Sequence, residues 1–105
     1  MQILFVCSRN QGRSPTAEAL FQNHPTITAR SAETENNVRV RVTEKLILWV
    51  DIIFVMEKKH RQRLREKFPV ALNNKQIIVL DIPDEYQYQD AELIEHLRVC
   101  LQPYL

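Results

Sequence analysis

The chain has 105 residues and one glycine, Gly12, where average usage of about 7% would supply roughly seven. Hydrophobic residues make up 45% and charged residues 26%, which excludes collagen-like, low-complexity and intrinsically disordered chains. A chain of this size buries about two thirds of its unfolded surface, enough for one domain over residues 1–105 with a single core and no disulfide staples. Fourteen Lys and Arg against 13 Asp and Glu leave a net charge of +1, so the whole molecule does not advertise a nucleic-acid or membrane partner. The distribution is less even. Lys58, Lys59, Arg61, Arg63, Arg65 and Lys67 crowd one segment, and Asp81 to Glu95 holds six acids and no base; a solvated helix face and an acidic loop account for both.

The first predicted element is a strand over Ile3 to Val6, short, apolar and ended by polar residues, unlike a secretory signal. Ser14 then reads as the cap of a helix that has Pro15 at its first position and Ala17, Leu20 and Phe21 on one face. Thr26 to Ser31 reads as a second strand. Val38, Val42, Leu46, Trp49 and Val50 have helical spacing, with β-branched Val40 and Val42 weakening the start and Trp49 expected in the core. A third strand covers Asp51 to Met56. His60, Leu64 and Phe68 stripe the basic helix, which Pro69 closes. Gln76 to Leu80 is the fourth strand. Leu93, Ile94, Leu97, Cys100, Leu101 and Tyr104 form the clearest stripe, with Asp90 as its cap. No apolar run is long enough to span a bilayer, and two widely spaced cysteines suit a reducing cytoplasm. No membrane association is expected.

Three of the four strands are almost continuously apolar, the mark of strands buried on both faces. Their alternation with helices predicts an α/β three-layer sandwich, a four-stranded parallel sheet flanked by helices. Ligands in such sheets bind beyond the carboxyl ends of the strands, near a topological switch point. This directs attention to the loop between strand 1 and helix 1, Cys7-Ser8-Arg9-Asn10-Gln11-Gly12-Arg13-Ser14. A cysteine there faces backbone N–H groups and a helix N-terminus, and these dipoles with Arg13 would lower its pKa and favour the nucleophilic thiolate. The same curved run of N–H groups can cradle a phosphate, making Ser8, Arg9, Asn10, Gln11, Gly12, Arg13 and Ser14 candidate phosphate-binding residues. Arg13 adds a bidentate clamp on developing charge. Gly12 suits a loop that turns sharply or approaches a ligand closely. The Ser14 hydroxyl can donate to the thiolate as well as cap the helix. In the competing reading, Cys7 is a small buried hydrophobe and Arg9 and Arg13 are solvated.

Val6-Cys7, Asn10 and Arg13-Ser14-Pro15, continued by Thr16-Ala17-Glu18, resemble the signature of the low-molecular-weight protein tyrosine phosphatase family. Ser31-Ala32-Glu33-Thr34 looks like its Ser-Ala-Gly-Thr, and Asp51 to Met56 with His60 looks like its third strand and following helix. The resemblance covers most of the chain and implies a phosphate loop with Cys7 as nucleophile and Arg13 as clamp. Two loop positions depart from it: Arg9 stands where the family usually has a small residue, and Gly12 where many members keep a second cysteine that guards the nucleophile. Cys7 is therefore expected to be open to over-oxidation unless Cys100 substitutes, and the apolar stripe around Cys100 assigns it to packing. The chain is also shorter than typical members between Thr34 and Val42 and before Ile77.

Phosphoryl transfer to a thiolate needs a proton for the departing oxygen. Leu80-Asp81-Ile82-Pro83-Asp84-Glu85-Tyr86 follows the fourth strand, which puts Asp81 and Asp84 at the same sheet edge as Cys7. The segment resembles the family's Pro-Asp-Pro-Tyr loop, which implies Asp84 as the acid and Tyr86 as the aromatic flanking the substrate; Glu85 replaces the second proline and is expected to loosen the loop. An acidic turn with no catalytic role is the alternative. His24, His60 and His96 lack metal-ligand spacing and read as packing or surface residues, so neither metal nor cofactor is expected.

These residues together point to a cysteine-dependent phosphatase hydrolysing phosphomonoesters through a phosphocysteine, with phosphotyrosine protein the family expectation. Arg9, Arg39, Arg41 and the basic helix leave room for nucleotide or RNA-terminal phosphates, including cyclic ones. Arsenate reduction would need more cysteines, and a non-catalytic phosphate-recognition module would need neither Cys7 nor Asp84. The expected partner is a phosphorylated protein or small phosphoester, and the expected state a monomer or weak homodimer.

Overall fold

The computed structural model describes residues 1–8, 12–35 and 40–105. Strands and helices alternate as β1 (Gln2–Cys7), α1 (Arg13–Leu20), β2 (Thr28–Glu33), α2 (Glu44–Trp49), β3 (Ile52–Val55), α3 (Lys58–Lys67), β4 (Gln76–Val79) and α4 (Ala91–Leu101). All strand pairs are parallel and the order is β2-β1-β3-β4. The chain leaves β1 toward β2 on one side and returns to β3 on the other, so the switch point lies at the carboxyl end of β1. The predicted α/β sandwich is the observed one.

Side-chain alternation along β1 divides the interior into two layers. Ile3, Phe5 and Cys7 pack with Phe54, Ile82, Leu93 and Leu97 on the α1/α4 face, where Phe5 stacks on Phe54 with ring centroids 5.5 Å apart. Leu4 and Val6 pack with Ile47, Ile53, Val55 and Leu64 on the α2/α3 face. Because both faces are covered, β1 and β3 carry unbroken apolar runs. Among the described residues no helix is long and apolar enough to cross a membrane.

Two predicted boundaries shift for local reasons. The second strand runs Thr28–Glu33 rather than Thr26 to Ser31, because His24 Nδ1 accepts hydrogen bonds from the Thr26 and Ile27 amides and holds them in a turn. Pairing then extends to Cys7 opposite Glu33. The second helix starts at Glu44, with the Thr43 hydroxyl accepting from the Leu46 amide at 3.2 Å. Its predicted early turn is instead extended: Val40 O accepts from the Glu33 amide at 2.8 Å and the Val42 amide donates to Glu33 O at 3.1 Å, a use of the backbone that β-branched residues favour. Val38 and Arg39 lie outside the described residues. Trp49 is only half-buried and carries the Arg30 guanidinium 4.7 Å above its ring. Asp90 caps α4 as predicted, accepting from the Glu92 amide at 2.9 Å.

Turns that would ordinarily use glycine are built from other residues. Asn23, Asn74, Asp81 and Gln89 adopt positive φ, which Asn and Asp tolerate best. Gly12, by contrast, has φ −142° and ψ −73°, outside the positive-φ region.

Candidate active site

Cys7 ends β1 with no exposed surface. Its carbonyl accepts the Thr34 amide at 3.0 Å and the Ser8 carbonyl accepts the Glu35 amide at 3.3 Å, so the entry to the loop is pinned to the end of β2. Arg9, Asn10 and Gln11 of the predicted phosphate cradle lie outside the described residues. Gly12 and Arg13 reopen the described chain at the start of α1.

The predicted cap is displaced by two residues. Gly12 occupies the N-cap and Ser14 sits inside the first turn, fully buried. Its hydroxyl has no oxygen or nitrogen partner among the described residues, and both it and the Ser14 amide act on the Cys7 thiol. The helix-cap role expected of Ser14 is not the one observed. Burial pushes the Cys7 thiol above its ordinary value; the Ser14 hydroxyl and amide and the Arg13 charge pull it down, and Glu33 pushes it up. Desolvation outweighs the dipoles, contrary to the lowered value expected from loop and helix alone.

Arg13 is nearly fully buried and draws three segments together. Its Nη1 donates to Glu57 Oε2 at 2.5 Å and to the Ile82 carbonyl at 2.8 Å, while its Nε lies 3.8 Å from Asp84 Oδ1. The guanidinium is therefore aimed by groups from the β3–α3 junction and from the segment after β4. Burial raises the Glu57 carboxyl, but the Arg13 hydrogen bond and charge, with Lys59 and His60, hold it below its ordinary value.

Glu57 and His60 are the residues that motif reading missed. They form a reciprocal cap on α3: the Glu57 side chain accepts from the His60 backbone, and the Glu57 amide donates to His60 Nδ1 at 3.0 Å. With Nδ1 an acceptor, the ring proton is on Nε2, which donates to Ser8 Oγ at 2.8 Å. His60 is fully buried, and its pKa falls to about 4 because burial and the Arg13 charge disfavour the imidazolium more than Glu57 favours it. A neutral imidazole thus ties the first loop residue after Cys7 to α3. The sequence signal was positional: Met56 ends the third strand, so residues 57 to 60 must lie at the sheet edge that holds Cys7.

The segment from Asp81 to Asp90 closes the opposite side. Leu80 and Ile82 are buried, and the Ile82 amide donates to Met56 O at 2.9 Å. Asp84 stands over Arg13 and is well exposed, whereas the Asp81 charge, after burial itself, raises the Cys100 thiol. Of the two candidate acids, Asp84 is thus the one beside Arg13. The Glu85 amide donates to Pro83 O at 3.0 Å, a bond that a second proline could not make, so Glu85 ties the turn it was expected to loosen. Tyr86 is half-buried against the α1/α4 core, and the Gln89 amide donates to Thr16 Oγ1 on α1 at 2.9 Å.

Cys7 and Cys100 are not joined in a disulfide. Cys100 is half-buried against the α4 core, with its Sγ 3.8 Å from Leu80 O. Among the described residues no group of three or more His, Cys, Asp or Glu could hold a metal ion.

No family model matches the sequence, and no curated protein matches it. Solved structures do. A low-molecular-weight protein tyrosine phosphatase from Streptococcus pyogenes superposes with a TM-score of 0.78 at 17% identity, covering 99% of this chain and 93% of the other. The tyrosine phosphatase Wzb from Escherichia coli K30, crystallised with phosphate, gives 0.78 at 20% identity over 98% and 94%. The YwlE arginine phosphatase from Geobacillus stearothermophilus gives 0.68 at 23% identity over 97% and 84%. The order β2-β1-β3-β4 with a loop-to-helix turn after a central β1 is thus embedded in a match that spans nearly the whole chain, and the protein has the fold of the low-molecular-weight protein tyrosine phosphatases.

Proposed function

We propose that the protein is a cysteine-dependent phosphatase acting on phosphomonoesters, with phosphotyrosine protein its first substrate class. The observation that carries the reading is the convergence at one sheet edge of Cys7, at the head of α1, with Arg13 and an exposed Asp84 3.8 Å from it. In the proposed reaction the Cys7 thiolate attacks phosphorus: an S–P bond forms, the P–O bond to the leaving group breaks, and the departing oxygen takes the proton of Asp84. Water then gives its proton to the Asp84 carboxylate and its oxygen to phosphorus, and the S–P bond breaks to return the thiolate. Arg13, oriented by Glu57 and the Ile82 carbonyl, stabilises charge on the phosphoryl oxygens. Ser14 stabilises the sulfur when it is the leaving group. Tyr86 flanks the phosphorylated ring, and Ser8 to Ser14 form the phosphate cradle.

The named neighbours include tyrosine phosphatases and an arginine phosphatase, so substrate choice lies between an O–P and an N–P bond. The test is hydrolysis of para-nitrophenyl phosphate, a phosphotyrosine peptide and phosphoarginine by the wild type, Cys7→Ser and Asp84→Asn. The expected result is vanadate-sensitive turnover, lost in Cys7→Ser, with the phosphotyrosine peptide preferred over phosphoarginine. Acid quenching should trap phosphate on Cys7, detected by mass spectrometry. No turnover of any of the three by wild type would overturn the phosphatase reading, and turnover confined to phosphoarginine would overturn the substrate assignment.

A further inference from the structure

Gly12 lies outside the left-handed region, at φ −142° and ψ −73°, so a positive φ is not what calls for glycine here. It needs to be glycine for space. A Cβ built there would lie 2.8 Å from the Tyr86 carbonyl oxygen and 3.7 Å from the Gln87 carbonyl carbon. The first distance is well inside van der Waals contact. The obstructing atom is main chain, so no rotamer change relieves the clash. Two further ties hold the same segment on α1, Arg13 Nη1 to the Ile82 carbonyl and the Gln89 amide to Thr16 Oγ1. The Gly12 contact falls between them in sequence, two residues beyond Asp84.

We propose that Gly12 is a positioning residue, the seat that lets the Tyr86 main chain dock against the start of α1 and so sets how far Asp84 reaches over the phosphoryl group. The proposal rests on the phosphatase reading of the site and adds a determinant of leaving-group range. Any side chain at position 12 lifts the 82–89 segment by several tenths of an ångström, and Asp84 retreats from the departing oxygen. A guard thiol at position 12 and a seated Tyr86 therefore exclude one another in this chain. Cys7 is left without a neighbouring cysteine because the space for it is occupied.

The test compares wild type, Gly12→Ala, Gly12→Cys, Asp84→Asn and Gly12→Ala/Asp84→Asn on two substrates. Phenolate, released from phenyl phosphate, is a poor leaving group that needs a proton; 2,4-dinitrophenolate, released from 2,4-dinitrophenyl phosphate, leaves without one. Gly12→Ala and Gly12→Cys are expected to lose roughly 10- to 100-fold in kcat on phenyl phosphate, part of what a general acid supplies, and less than about threefold on the dinitrophenyl ester. The Gly12 amide that serves the phosphate cradle survives both substitutions, so vanadate affinity should fall no further than the rate on the dinitrophenyl ester, and adding Gly12→Ala to Asp84→Asn should cost little more. Amide resonances of residues 84 to 88 should shift in Gly12→Ala. Equal losses on both esters with equally weakened vanadate binding would overturn the proposal, because the bare space at Gly12 would then serve the phosphate cradle and not the Tyr86 seat. Wild-type rates on both esters, or unmoved resonances, would overturn it as well. If Asp84→Asn alone showed no leaving-group dependence, the acid assignment would fail, and the resonance shifts would still decide whether Gly12 seats the loop.

Discussion

The two sides of the site are built to different standards. On the side of β1 and α3, Cys7, Arg13, Ser14 and His60 are all buried, and Arg13 and His60 are each fixed by a side chain from another part of the chain. On the side of β4, Asp84 is exposed, and its loop is held by main-chain ties at Ile82, Glu85 and Gln89 rather than by packing of the acid itself. Groups that hold a phosphoryl group must be in place before charge develops, which rigid, desolvated partners achieve. In the proposed reaction Asp84 gives up a proton and then takes one back, and contact with water serves that exchange. Arg13 joins the two sides, because its guanidinium touches Glu57 on one and lies against Ile82 and Asp84 on the other.

The contrast breaks first at Arg13. Arg13→Lys removes the planar fork while keeping the charge, and a lysine cannot meet Glu57, Ile82 O and a phosphoryl group together. The expected loss in kcat is about 10²- to 10³-fold, measured on para-nitrophenyl phosphate; an unchanged rate would show that orientation by Glu57 and Ile82 is immaterial. Asp84→Asn should reduce kcat on phenyl phosphate by about 10²-fold with little change in stability, since the side chain is exposed. Equal destabilisation by Asp84→Asn and Arg13→Lys would erase the distinction between the sides.

His60 gives a pH signature confined to the buried side. Its folded pKa of about 4 lies below its ordinary 6.5, so the unfolded chain binds a proton that the folded chain resists. Stability from this group is complete above pH 6.5 and is lost as pH falls toward 4, reaching about 3 kcal/mol in total. Urea unfolding between pH 7 and 4 should therefore show a slope that flattens in His60→Gln; the same slope in both proteins would place the titration elsewhere.

Ser14→Ala should move the Cys7 alkylation midpoint upward, because Ser14 lowers this thiol against the effect of burial. A midpoint that stays or falls would remove Ser14 from the nucleophile. The smallest effect is expected on the exposed side. Glu85→Pro gains from a stiffer unfolded chain but forfeits the amide bond to Pro83 O, so the change in stability should stay below about 1 kcal/mol. A larger gain would mean that the bond is not formed in solution.

Period and composition alone determined much of this protein. Continuous apolar strands require cover on both faces, and helices between them require crossovers, so the three-layer parallel sheet and the placing of Cys7, Arg13 and the Asp81–Asp84 pair at one edge could all be read from the chain. The Asp90 cap was legible too, since it depends on residues close in sequence. What only the tertiary structure decided are the relations between loops that chain order does not bring together. The amides held by His24 and the bonds of Glu33 to Val40 and Val42 overrode local propensity at β2 and α2. Glu57 belongs to no motif, and His60 entered only as part of the helix after the third strand; their role appears once α3 begins beside Ser8 and Arg13. The sign of the Cys7 shift followed from burial, which a loop sequence does not reveal. The lone glycine is the clearest case: its composition marked it, its neighbours suggested a phosphate loop, and only the folded chain shows that a carbonyl from 74 residues further along occupies the space of its missing side chain.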